Sequence, residues 1–189
     1  RVDRRQRQMC IRDRHNTDCH ISFTTNATLW NHKLMLRLDS FAKTEVQLSI
    51  DAHGLANQLI RHGSQWHEVT KNVSQYLDSS IKDIKIYTVI SALNCLDLAP
   101  LLRWMIDTCN LHQRRVTWSP IMLKDPLHLH LSAVPLSARK AAADRLETLF
   151  TDEHWPEHFC VYQHALDRVL QMLRGMVYCL LYTSDAADD

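Results

Sequence analysis

Only three glycines punctuate this chain of 189 residues. An all-β fold turns its chain repeatedly through positions that favour glycine, so the shortage argues against one. Long apolar runs are absent, and with them a membrane-spanning helix. The six cysteines form no C-x2-C pair and no C-x3-C-x2-C loop, which removes the zinc-ribbon and cluster-loop signatures. Net charge is small too, at +1 for 22 basic and 21 acidic residues. Residues 1–14 carry six arginines against two aspartates, and residues 175–189 carry three aspartates with no Lys or Arg. Residues 15–174 are therefore electrically neutral, and neither nucleic acid nor a membrane is expected as a partner. What is present, 46% hydrophobic and 23% charged residues, fits one core-bearing domain.

Both ends read differently from the body. Residues 5–14 and 179–189 resemble translated sequencing-adapter read-through; a basic arm and an acidic tail are the alternative. The expectation is that residues 1–14 and 178–189 are non-native segments and that the chain is a fragment cut at both ends. Of the cysteines in the body, Cys19, Cys95, Cys109 and Cys160 read as free thiols of a reducing, cytoplasmic setting.

Strand and helix periods alternate through the body. Residues 21–25 are β-branched and aromatic, and a helix is expected over 27–38. Val46, Leu48 and Ile50 then alternate with Gln47, Ser49 and Asp51, the period of a strand with one apolar face. Trp66, Val69, Val73, Tyr76 and Leu77 recur at helical spacing. Residues 84–90 form a third strand, 96–111 a helix with Pro100 near its start, and 116–122 a fourth strand. Beyond residue 127 the pattern becomes helical, with Ser137 capping a helix to 150 and a second helix running from about 158 to 173. Such alternation requires parallel strands joined by crossover helices, so the fold class is α/β. Ser49 and Asp51 fall at the C-terminal end of their strand, where (β/α) enzymes keep their chemistry, and Arg61 follows ten residues after the acid. A hydroxyl, a carboxylate and a guanidinium there suit a small zwitterionic ligand.

Taken in order, Phe23-Thr24-Thr25-Asn26-Ala27-Thr28-Leu29, Gln47-Leu48-Ser49-Ile50-Asp51-Ala52, Ile60-Arg61, Trp66 to Asn72, and Ile86-Tyr87-Thr88-Val89 leading to Asn94 resemble the second half of a radical S-adenosylmethionine enzyme core. The residues around Pro120, Leu129-His130-Leu131 and Val134-Pro135-Leu136 are similar to the approach to a SPASM or twitch extension. The likeness covers roughly residues 19–150. It implies the second half of a partial (β/α) barrel over 15–136, followed over 137–177 by the helical start of the extension. It also implies S-adenosylmethionine and a 4Fe–4S cluster as cofactors, an electron donor such as a ferredoxin or flavodoxin, and a 5′-deoxyadenosyl radical acting on a small-molecule or peptide substrate. Ser49 and Arg61 map onto the residues that hold the methionine end of the cofactor, with Asp51, Thr25 and Asn26 on the same rim. The sequence departs from the pattern at Ala27 and Ala52, where glycine is common, and it lacks both the C-x3-C-x2-C loop and the GGE-type second strand. The fragment alone is therefore expected to be inactive.

Blander readings stand beside these. Arg61 also reads as a surface charge, Ser49 as a small residue at a crowded strand end, Asp51 as a loop organiser and Asn94 as a helix cap. His154, His158, Cys160 and His164 read as ordinary side chains more readily than as a zinc set, because Pro156 interrupts any common helix face. Trp30, Trp66, Trp104 and Trp118 read as core. A (β/α) enzyme of another type, binding a phosphate or carboxylate at the same rim, and a non-catalytic α/β interaction domain are the rival functions.

Overall fold

The computed structural model describes residues 18–151, 158–161 and 163–175. Within them one all-parallel sheet has the order β1 (His20–Thr25), β2 (Lys43–Ser49), β3 (Asp83–Ile90), β4 (Val116–Met122) and β5 (Phe159–Val161). The helices are α1 (His32–Leu38), α2 (Leu55–Ile60), α3 (Trp66–Leu77), α4 (Leu98–Leu111), α5 (Leu136–Thr151) and α6 (Gln163–Leu173). Spatial order equals sequence order. Parallel neighbours require a crossover each time, and crossovers of one hand stepping in one direction lay their helices on one face. This is the α/β arrangement of a partial (β/α) barrel with C-terminal helices.

The period-2 pattern selects the face that is covered. Val46 and Leu48 of β2 with Ile50 just past it, Ile84, Ile86 and Ile90 of β3, and Val116 and Trp118 of β4 are buried in one cluster with Val69 and Val73 of α3 and Leu101 and Met105 of α4. Removing such a side chain from water stabilises the fold by roughly 1.5–3 kcal/mol each. On the opposite face the register lines up Thr24, Gln47, Lys85, Thr117 and Cys160 in one row and Ser49, Tyr87 and Ser119 in another. These rows are half-buried or exposed.

Three local differences from the sequence expectation have physical causes. Helix α1 starts at His32, not at 27, because Ala27 adopts φ 57° and the Asn31 side chain accepts the Leu34 N–H at 3.1 Å as N-cap. Residues 159–161 are a strand where a helix was expected: Phe159 is buried beside Val116, whose N–H donates to the His158 carbonyl at 2.8 Å. Helix α5 is thus the crossover between β4 and β5, and the β/α alternation continues past Leu136. It begins at Leu136 with Ser137 inside its first turn. Third, residues 55–60 form the short helix α2, which no periodic pattern in the sequence marks.

Strand β5 ends early for a reason written in β4. The Val116 N–H points to β5 and the Leu123 N–H to Ile90 of β3, so alternate residues place position 120 with its nitrogen on the outer edge. Pro120 has no N–H to offer there, which ends the ladder after Trp118 and Val161. Among the described residues no helix is long and apolar enough to cross a membrane. The expected non-native segments, residues 1–14 and 178–189, lie outside the described residues.

Candidate functional site

The C-terminal end of β2 is where polar side chains converge. Asp51, 5% exposed, lies two residues past the end of β2. Its Oδ1 accepts the Val89 N–H at 2.8 Å, its own N–H donates to Asn57 Oδ1 at 3.1 Å, and its carbonyl accepts from Asn94 Nδ2 at 2.7 Å. Arg61, at the end of α2, brings Nε to 2.8 Å from Asp51 Oδ2 with its side chain 24% exposed. The N–H direction misses that oxygen, so the contact is an ion pair and the buried Nε–H has no hydrogen-bond acceptor. One turn later Ser64 donates its backbone N–H to the Arg61 carbonyl at 3.0 Å, and its buried Oγ also lacks a partner. Two unsatisfied polar groups therefore belong to one turn beside the carboxylate.

Asn94 does not cap α4; the N-cap position belongs to Asp97. Asn94 accepts the Ser91 N–H at 2.7 Å and donates to the Asp51 and Val89 carbonyls at 2.7 and 2.8 Å, tying the end of β2 to the end of β3. Asp97 instead accepts the His53 backbone N–H at 2.7 Å. That contact sets the His53 ring against Trp66, with centroids 5.1 Å apart, and Trp66 packs on Trp104 at 4.8 Å. Trp118 is fully buried, whereas Trp30, Trp66 and Trp104 are half-buried at the margin of the core.

Thr25 ends β1, Asn26 follows it, and both side chains bond within their own turn. Thr25 Oγ1 accepts the Ala27 N–H at 3.2 Å, and Asn26 Oδ1 accepts from Thr28 N–H and Oγ1 at 3.2 and 2.7 Å. Ala27 is the left-handed residue that a glycine would suit, and Asn72 Nδ2 locks its carbonyl at 2.9 Å. Ala52 has no such conformation. Ser49 lies in the same row as Tyr87 on the polar face. Of the five predicted residues, Asp51 and Arg61 touch; Ser49 lies two residues before Asp51, and Thr25 and Asn26 are engaged in their turn.

The sequence reading missed a second polar group on that face. Glu45, 7% exposed, accepts from Lys85 Nζ at 2.6 Å, Gln47 Nε2 at 2.7 Å and Ser22 Oγ at 3.2 Å, while Gln47 Oε1 accepts from Thr24 at 2.9 Å. The Gln47 hydrogen bond, followed by Lys85, holds the Glu45 carboxyl below its ordinary value, and the hydrogen bond to Glu45 pushes Lys85 up. Alternation alone places Glu45 with Gln47 and Ser49, and Lys85 with Tyr87; that period was the available signal.

The residues present do not fit an iron–sulfur cluster. Cys19 precedes β1, Cys95 precedes α4, Cys109 lies in α4 and Cys160 in β5, with Cys95 and Cys109 buried. Among the described residues no group of three His, Cys, Asp or Glu stands together as a metal site. His154 lies outside the described residues; His158 Nε2 meets Gln113 Oε1 at 3.0 Å and Cys160 Sγ accepts from Arg115 Nε at 3.1 Å.

Fold and rim together define a class: an α/β protein of sequentially ordered parallel strands with a charged pair and hydroxyls at the strand C-termini. No model of a known protein family matches the chain, and no curated protein matches it.

Proposed function

We propose that this chain carries the second half of a radical S-adenosylmethionine enzyme core, with Ser49 and Arg61 receiving the methionine end of that cofactor. One observation carries the reading: Arg61 is held at the C-terminal end of β2 by an ion pair, its Nε 2.8 Å from Asp51 Oδ2 and its side chain 24% exposed. A carboxylate is the acceptor that a guanidinium takes best, and its five N–H donors leave room for a second one beside Asp51. In this reading Asp51 positions the arginine, Ser49 supplies a hydroxyl beside the ligand, and the Thr25–Asn26 turn shapes the adjoining rim. S-adenosylmethionine would yield a hydrogen-abstracting radical only on receiving one electron from a 4Fe–4S cluster, which the described residues do not hold; these residues would bind and orient the cofactor. The polar face bearing Glu45, Lys85 and Tyr87 would meet a polar small-molecule or peptide substrate.

A second reading has its own observation. Asp51, Asn57, Ser91 and Asn94 satisfy one another so fully that the rim also serves as a structural knot between β2 and β3. Calorimetric titration of the chain with S-adenosylmethionine separates the two. The cofactor reading expects saturable binding that Arg61→Lys weakens about tenfold, because an ammonium loses the planar fork but still neutralises Asp51. Absence of saturable binding, or equal affinity in Arg61→Lys, overturns it and leaves the knot.

A further inference from the structure

The early end of β5 leaves a cavity of about 430 Å³ against the second half of β4 and the first turns of α6. Its size lies in the range that small ligands occupy. Three basic side chains line it: Lys124, just past β4, and His164 and Arg168, which stand i,i+4 on one face of α6. Among the described residues no Asp or Glu lines it, although Asp125 and Asp167 adjoin Lys124 and Arg168 in sequence. Such a one-signed wall is notable in a chain whose body is neutral. Trp118, Ser119 and Met122 form the opposite wall, mostly apolar with one hydroxyl.

From this we infer a binding site for a phosphate-bearing small molecule between β4 and α6, independent of the proposed S-adenosylmethionine rim. Two permanent cations and an imidazole match the charge of a phosphate dianion better than that of a single carboxylate. An arginine fork takes two phosphate oxygens, a lysine takes another as a point charge, and the apolar wall covers an organic body. Pro120 keeps the site open, because a β-strand cannot extend along an edge that offers no N–H at its midpoint.

Inorganic phosphate is the probe, titrated against the full chain at constant ionic strength, with acetate as the comparison anion. Saturable phosphate binding is expected, weaker for acetate. The double variant Lys124→Gln with Arg168→Gln should lose about tenfold or more in affinity, whereas Arg145→Gln, an exposed cation on α5, should bind as the unaltered chain does. All three positions are exposed, and far-ultraviolet circular dichroism checks that the fold is retained. Undetectable saturation, or the same affinity in the double variant as in the unaltered chain, overturns the site.

Discussion

Asn94 makes the most consequential set of contacts of any single side chain at the rim. Its amide reaches the Ser91 N–H and the carbonyls of Asp51 and Val89, all in a buried setting. Asn94→Ala should cost about 2–4 kcal/mol, several hydrogen bonds' worth plus the desolvation of stranded backbone groups. Urea denaturation measures it, and a cost under ~1 kcal/mol would show that water replaces the amide. The Glu45–Lys85 pair makes a pH-dependent prediction. Glu45 sits below its ordinary 4.5 when folded, so its contribution is complete above that value and fades as pH falls through the folded pKa. Lys85 sits above its ordinary 10.5, so its contribution holds below that value and fades as pH rises through the folded pKa. At pH 7 both are present, and Lys85→Met should cost about 1–3 kcal/mol, trimmed by solvent because Lys85 is one-third exposed. At a pH low enough to protonate the folded Glu45 the penalty should shrink, since the neutral carboxyl no longer needs a cation. Equal penalties at both pH values would contradict the pairing.

At the scale of elements, Pro120 governs how far the sheet extends. Pro120→Thr restores an N–H on the outer edge of β4 at a cost of no more than about 1 kcal/mol in stability, because the β3 ladder does not use that nitrogen. Self-association should rise, as an unguarded edge recruits strands, and sedimentation velocity reads it. A variant that stays monomeric at the concentrations tested argues against edge control by this proline. The same scale explains what was legible beforehand. Strands β2, β3 and β4 and helices α3 and α4 carry long runs of a single period, so their place and type follow from the residues. Helix α2 has six residues and exposes Leu55 and Leu59, which erases any periodic stripe. Strand β5 is three residues beside a longer helical run, and its strand character comes from pairing with Val116 to Trp118. Asp51 and Arg61 were legible as rim residues, but their contact was not. Nor was the Glu45–Lys85 pair, whose members lie 40 residues apart and meet only through the β2–β3 register.

Across the whole molecule the helix-side core is continuous from α1 to α6, so its interior thiols report on global opening. Burial pushes the Cys109 thiol up to about 12 and raises Cys95 as well. Since the thiolate is the nucleophile, alkylation of Cys109 at neutral pH should wait for unfolding, and its rate should rise with denaturant on the global slope. Site-resolved mass spectrometry follows it; labelling of Cys109 that outpaces global unfolding would mean that α4 detaches locally. The coincidence of spatial and sequence order has a further consequence, for how the chain assembles during synthesis. Each strand finds its neighbour in the strand made just before it, so a newly emerged β/α unit docks on a completed edge and waits for nothing downstream. Closure entropy is then met in short instalments, and an arrested nascent chain ending after α4 should already hold β1 to β3 in register.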